Sequence, residues 1–291
     1  MKVAIVTSFS EDTVENTRIV DEMVKLGHEA RIVTLNDFGF QIRSGELVVP
    51  GLTDEGWDVV VMRGVLNSIK AASTVVKSLR NKGVRVFDNN LFAHLYSIDK
   101  VSDILKLAVA GIDLPDTYYA RHFGEYLNKA KEYGYPVVVK SVRSGKGVSV
   151  YKLDNEKELR ELVERLESEG KEPKSYIMQE FVPYEFDLRV LIIGEHMRVM
   201  QRIPGKGEFR ANFSLGGSVK LHEPDEETKD LAWRALQAVG MSVGGVDVLI
   251  TPDKRRVILE VNHSAGFAGM EEATGENIGK LYVEHVLATA H

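Results

Sequence analysis

Two acidic residues and an amide near the C-terminus have the types and spacing to hold a hard divalent cation. They are Asp247, Glu260 and Asn262, in the β-prone runs Val243–Ile250 and Val257–Asn262, and a turn containing Pro252, Asp253 and Lys254 separates the runs. Such a pattern predicts an antiparallel hairpin. If Ile250 pairs with Val257, counting back sets Asp247 opposite Glu260, and strand alternation puts Asn262 on the same face as Glu260. Two opposed carboxylates repel unless something offsets them, and Mg²⁺ takes oxygen ligands, with water and nucleotide phosphate filling its other positions. The alternative is a set of solvent-facing strand residues beside a loop.

A second group has the chemistry to hold a nucleotide. Lys140 ends an apolar strand, and Ser144-Gly145-Lys146-Gly147 follows before the next run, Val148–Tyr151. Small residues there let backbone amides approach phosphate closely, although a plain hairpin turn has the same composition. A Walker A loop is excluded, because Gly147 stands where Ser or Thr is required and Lys140 where the upstream Gly is required. No dinucleotide fingerprint follows the first strand, which runs into Ser8-Phe9-Ser10. Gln179, Glu180, Phe181 and Val182 close another strand and could offer alternating main-chain groups to an adenine edge, with Asp187 accepting from ribose. The cations Arg189, Arg202, Lys206 and Arg210 follow, in a chain whose formal net charge is -6. A local basic cluster beside carboxylates suggests a metal-bridged polyphosphate.

Positioning these residues requires an ordered scaffold. The 291 residues suffice for two or three packed subdomains, and 44% are apolar. Strands are predicted at Val3–Thr7, Ala30–Thr34, Val59–Met62 and Val84–Asp88. Helices over Val14–Leu26 and Ile69–Asn81 alternate with them, the pattern of a parallel sheet. A helix over Asp99–Ala110 leads into a strand ending at Val137–Lys140, a helix over Asn155–Glu169 and a strand at Tyr176–Glu180. Helices at Asp225–Val239 and Gly275–Thr289 flank the hairpin. The division expected is 1–95, an N-terminal α/β unit; 96–184, a central α+β lid; and 185–291, a unit carrying the metal site.

Composition narrows the partners. Net acidity argues against a general nucleic-acid binder, since that affinity rests on many Lys and Arg neutralising phosphates. With no cysteine, disulfides and thiolate metal sites are excluded, and a cytoplasmic location is consistent. No run approaches the roughly 20 apolar residues of a membrane span. Rival chemistries fail on their motifs. Ser264 lacks the Gly two positions before it that a nucleophile elbow needs, and no second zincin His follows His222-Glu223.

Together these motifs resemble the RimK-type ATP-grasp ligases over nearly the whole chain. The residues carrying the likeness are Asp99-Lys100, Val138-Val139-Lys140, Gln179-Glu180-Phe181-Val182, Asp187-Leu188-Arg189-Val190, Gly207 through Asn212, Gly244-Gly245-Val246-Asp247 and Leu259-Glu260-Val261-Asn262. The resemblance implies an ATP-grasp fold, an N-terminal parallel-sheet α/β domain followed by two α+β subdomains that grip ATP. It implies Lys100 and Lys140 on phosphates, the Ser144–Gly147 loop closing over them, Glu180 with the Phe181-Val182 backbone on adenine, and Asp187 on ribose. Arg202, Arg210 and Asn212, with Arg189 nearby, would act on phosphates and a developing acyl phosphate. Asp247, Glu260 and Asn262 would ligate two Mg²⁺ ions, with Mn²⁺ as a substitute. The activity implied is ATP-dependent joining of a carboxylate to an amine, such as a glutamate-like amino acid added to a protein tail, a carrier protein or a small molecule. A dimeric or tetrameric assembly belongs to the same expectation.

This sequence departs from the ribosomal-protein-modifying relatives after Asn262. It reads His263-Ser264-Ala265-Gly266 where they have Ala-Ser-Pro-Gly, and His after Asn keeps open a branch that works on carrier proteins. This loop borders the acceptor pocket in the resemblance, so His263, Ser264 and Gly266 are expected near substrate, with His263 either a proton shuttle or a hydrogen-bonding bystander. Arg63, ending the third strand, either meets a substrate carboxylate or forms a surface ion pair. A dipeptide-forming ligase and a non-catalytic, synapsin-like ATP-binding protein are the alternatives.

Overall fold

The computed structural model describes residues 1–9, 12–35, 39, 41–43, 46–88, 99–142, 149–203 and 218–290. Chain order begins with β1 (Lys2–Thr7), α1 (Val14–Lys25), β2 (Glu29–Thr34), β3 (Gln41–Arg43), β4 (Glu46–Val48), β5 (Val59–Met62), α2 (Ile69–Asn81) and β6 (Arg85–Phe87). The parallel sheet runs β2-β1-β5-β6. Its central strands are apolar on both faces because both faces are covered. Val3, Ile5, Val59 and Val61 enter one core with Ile19 and Met23 of α1, while Ala4, Val6, Val60 and Met62 enter another with Val76 and Leu79 of α2. The short β3–β4 hairpin carries no strong alternation and is an addition to the sequence reading.

The next stretch contains α3 (Lys100–Val109), β7 (Thr117–Tyr118), α4 (Phe123–Tyr133), β8 (Val137–Ser141), β9 (Val150–Leu153), α5 (Glu156–Ser168) and β10 (Tyr176–Glu180). Its antiparallel sheet runs β7-β10-β8-β9 and encloses its own core around Tyr126, Leu159, Leu166 and Met178. Helix α3 does not join that core: Leu107, with Ile112 beyond the helix, packs under the C-terminal sheet. Asp99 fixes the start of α3 through a capping box with Ser102.

The remainder comprises β11 (Phe186–Ile193), β12 (His196–Ile203), β13 (Ser218–Leu221), α6 (Glu226–Ala238), β14 (Val243–Ile250), β15 (Arg256–Asn262), α7 (Ala268–Thr274) and α8 (Ile278–Thr289). Its sheet runs β13-β12-β11-β14-β15, all antiparallel. One face, with Leu188, Val190, Val246 and Val248, packs on α6 and α3. Along the opposite face of β11, Leu191 and Ile193 join the core shared with β1, β5, α1 and α8. Asp187 and Arg189 continue that face beyond the shared core, so the polar site sits at the rim of the seam between the N- and C-terminal sheets. No helix among the described residues is long and apolar enough to cross a membrane.

Candidate functional site

The β14–β15 hairpin forms, with one change of register. Ile250 pairs with Arg256 rather than Val257, and a β-bulge between Asp247 and Val248 restores Asp247 opposite Glu260. The extra residue is Leu259, which packs with Val182, Leu249 and Val257. Bulges of this kind re-aim side chains next to functional sites. Gly245, two residues ahead of Asp247, lets Ala265 and Arg189 come close. A Cβ at Gly245 would lie 2.7 Å from the Ala265 Cβ and 3.1 Å from the Arg189 Cδ. Sequence reasoning noted this glycine only as part of the resemblance; the close approach is its physical reason.

Asp247 is buried and accepts from two arginines on neighbouring strands. Arg189 grips it in a forked pair, its Nη2 donating to Oδ2 at 2.9 Å, and Arg202 Nη2 lies 3.1 Å from the same Oδ2. Arg202 also donates to both oxygens of Asp187, at 2.5 and 3.0 Å. Asn262 Nδ2 stands 3.4 Å from Asp247 Oδ2, and a half-turn of the amide would present Oδ1 there instead, as a cation requires. On the other side Lys100 Nζ is 3.1 Å from Glu260 Oε2. Three acids and four cations, counting Lys140, thus interleave among the described residues.

Burial pushes the Asp187 carboxyl up to about 6, against the pull of Arg202 and with repulsion from Asp247. Burial also depresses the Arg202 guanidinium, but Asp247 and Asp187 outweigh it and raise the net value. Lys140 is 4% exposed, and burial takes its ammonium down to about 8, with Glu260 opposing and Lys100 assisting. Burial would raise Glu260, yet Lys100, Lys140 and Arg189 hold it down at about 2. Glu260 stays ionised and the buried Lys140 ammonium is short of counter-charge, which an arriving metal-bound polyphosphate would supply. The donor set, two carboxylates and an amide oxygen, fits Mg²⁺.

Other expected residues are placed differently. Gln179 is buried, with Nε2 donating to Thr117 Oγ1 at 2.8 Å, so its side chain is turned into the sheet. Glu180 Oε1 accepts from the Asp116 amide at 3.1 Å, and the Phe181 amide donates to the Pro136 carbonyl at 3.3 Å. Val182 is a core residue beneath the hairpin, and both Asp187 oxygens are taken by Arg202. Arg63 is no surface residue. Its guanidinium donates to Asn16 Oδ1 at 2.9 Å and to the Ala265 carbonyl at 2.8 Å, and stands over the Phe267 and Tyr282 rings. Ser264 Oγ accepts from the Gly64 amide at 2.8 Å, and Gly266 packs against Glu15 so closely that an added Cβ would lie 2.9 Å from Oε1. His263 Nε2 donates to Asp103 Oδ2 at 2.8 Å. Sequence reasoning missed Asp103, whose only signal was its place one turn after Lys100. Ser144, Gly145, Lys146, Gly147, Lys206, Arg210 and Asn212 lie outside the described residues.

Comparison with known proteins agrees with this architecture. The RimK-like ATP-grasp domain matches residues 97–286. A probable alpha-L-glutamate ligase of Nitrosococcus oceani is 30% identical over 98% of this chain and 95% of its own length. Beta-citrylglutamate synthase B of Danio rerio is 30% identical over 88% of this chain, which spans only 63% of that protein. Among solved structures, a RimK domain ATP-grasp protein from Sphaerobacter thermophilus superposes with a TM-score of 0.76 at 19% identity, covering 99% of this chain and 100% of the other. The ATP-grasp ligase PsnB, complexed with a phosphomimetic variant of its minimal precursor, Mg and ADP, gives 0.73 at 19% identity, over 98% and 97%. From its sheets, its opposed carboxylates and these matches together, the chain belongs to the RimK-like ATP-grasp family of C–N bond-forming ligases.

Proposed function

We propose that this chain uses ATP and Mg²⁺ to join the amino group of an acidic amino acid to a carboxylate. The observation that carries the reading is the meeting of Asp247 and Glu260 across the bulged hairpin, ringed by Arg189, Arg202, Lys100 and Lys140. The glutamate-ligase relatives support the choice of amine.

In the reaction a substrate carboxylate oxygen attacks the γ-phosphorus of ATP and the β–γ bridging bond breaks, giving ADP and an acyl phosphate. The amine then attacks the acyl carbon, phosphate departs, and the amine proton passes to solvent or a nearby base. No protein nucleophile is needed; positioning and charge stabilisation carry the rate. Lys100 and Lys140 hold phosphate oxygens, and the segment after Glu180 receives adenine, using main-chain groups other than the Phe181 amide. Arg202, Arg189, Arg210 and Asn212 steady the transferring phosphoryl group. Asp247, Glu260 and Asn262 hold two Mg²⁺ ions, which neutralise phosphate charge when bound. Arg189 and Arg202 stand as internal counter-ions to Asp247, and their guanidinium groups have the fork geometry that would also suit phosphate oxygens.

The test is ADP release by purified protein given ATP, Mg²⁺ and a panel of labelled amino acids with protein, peptide and small-molecule carboxylates. The expected product gains the mass of one amino acid less water, with equimolar ADP and phosphate. Nucleotide binding without turnover across the panel would favour a synapsin-like, non-catalytic role.

A further inference from the structure

Helix α3 meets the end of β15 at two places. Lys100 contacts Glu260, and three residues onward in both segments Asp103 accepts from His263, at 3.1 and 2.8 Å respectively. Lys100 and Asp103 lie one turn apart on the same helix face. The two contacts differ in exposure. The Lys100 and Glu260 side chains are 27% and 26% exposed, those of His263 and Asp103 only 7% and 9%. The outer contact is open to exchange with an arriving ligand, while the inner one is sealed.

The inner contact carries a cost. Asp103 Oδ1 is buried without a hydrogen bond, and the Lys106 Nζ lies 3.7 Å away. A half-satisfied buried carboxylate is a poor way to hold a helix for stability alone, since apolar packing would avoid the desolvation penalty. What it supplies is direction: a single charge-assisted hydrogen bond fixes where the helix start lies relative to the hairpin end.

We infer that Asp103 and His263 are a positioning pair that sets α3 against the metal hairpin, so that Lys100 moves only between Glu260 and a nucleotide phosphate. The pair acts through Lys100 and touches neither nucleotide nor substrate. This rests on the proposed role of Lys100 as a phosphate ligand. It also gives His263 a role other than shuttling a proton from the amine.

Calorimetric titration of the full chain with Mg·ADP, which involves no turnover, tests both layers. Lys100→Ala is expected to weaken binding on the order of tenfold or more, the usual loss for one charge-assisted contact. His263→Ala and Asp103→Ala are each expected to weaken it on the order of tenfold, as loss of an orienting partner does. The Lys100→Ala/His263→Ala double variant should bind no worse than Lys100→Ala alone, because the pair has nothing left to orient. His263→Gln, whose side-chain amide can still donate to Asp103, should recover most of the loss. In turnover assays the KM for ATP should rise with kcat at saturating ATP held. Unchanged binding in Lys100→Ala would overturn the phosphate role and the inference with it. Weakened Lys100→Ala beside unchanged His263→Ala and Asp103→Ala, or losses that multiply in the double variant, would overturn the inference alone. So would a fall in kcat with KM for ATP unchanged.

Discussion

Asp247 and Glu260 face each other, yet the surrounding protein treats them differently. Asp247 is buried beneath two arginines, whereas Glu260 is partly exposed, in contact with the partly exposed Lys100 and in the field of buried Lys140. Removing one partner of a buried ion pair strands the other charge, so Asp247→Ala should cost about 3–5 kcal/mol of stability. Glu260→Ala should cost less, about 1–3 kcal/mol, because its pair with Lys100 is partly exposed while buried Lys140 also loses a counter-charge. Both should abolish ATP turnover. Urea denaturation beside an ADP-release assay checks the contrast, and equal stability losses would contradict the burial argument. The two acids and Asn262 were legible in the sequence because one hairpin brings them together through local spacing. The arginine pairs were not, since β11 and β14 are neighbours only through a long-range sheet. Arg63 shows the same limit: a strand-end arginine reads equally as a substrate contact or a surface ion pair until the loop at Ala265 covers it.

At the level of elements, alternation of strand and helix patterns was the reliable signal, and the caps seen in the structure explain the helix starts. Helices starting after Thr13, Asp99, Asn155 and Asp225 are each closed by that side chain bonding back to the backbone. The last helix begins after Asn277 rather than at Gly275 because Asn277 supplies its cap, and α7 was too short to register as a period. The bulge was illegible because pairing by count assumes uninterrupted ladders. Asp225 permits a test with pH. Its carboxyl is lowered to about 2, first by the Thr228 side chain, then by the Thr228 amide, with Arg256 assisting. A folded value below the unfolded 3.8 means that this stabilisation is complete above pH 3.8 and lost as pH falls toward 2. Asp225→Asn keeps the cap but removes the charge, so it should cost about 0.3–1 kcal/mol at neutral pH. The difference from wild type should vanish near pH 2; a difference independent of pH would exclude the charge as its source. Gly245 offers a steric test. Gly245→Ala should destabilise by about 1–3 kcal/mol through overpacking against Ala265 and Arg189. Gly269→Ala, whose Cβ meets nothing within 4 Å, should instead stabilise by about 0.4–1 kcal/mol. Denaturation midpoints of the two variants should therefore move in opposite directions.

Across the whole molecule, sequence boundaries and packing boundaries part company. The alternation that marked the N-terminal α/β unit was visible because each strand and helix is locally periodic. Which unit completes its core was not, because that depends on residues more than 240 positions later. Val3, Ile5, Ile19 and Met23 are covered by Phe267, Tyr282, Val283 and Val286, and Arg18 binds Glu271 through two donors at 3.0 and 3.3 Å. A fragment of residues 1–95 would keep the face covered by α2 and leave the other covered by α1 alone, with the surface that meets Phe267, Tyr282, Val283 and Val286 exposed. It should retain helical and strand signal in far-ultraviolet dichroism, bind a hydrophobic dye and lack a cooperative thermal transition. Residues 113–184 enclose their core with α4, α5 and the β7-β10-β8-β9 sheet. That fragment should unfold cooperatively by itself. In the full chain, amides of β1, α1 and α8 should then exchange at one common free energy, because they bury the same surface and open together. A separate, lower exchange energy for β1 and α1 would mean that the N-terminal sheet detaches as a unit. It would carry Arg63 and Gly64 away from the loop beside Asn262, and that side of the site would then be set by docking rather than by a continuous core.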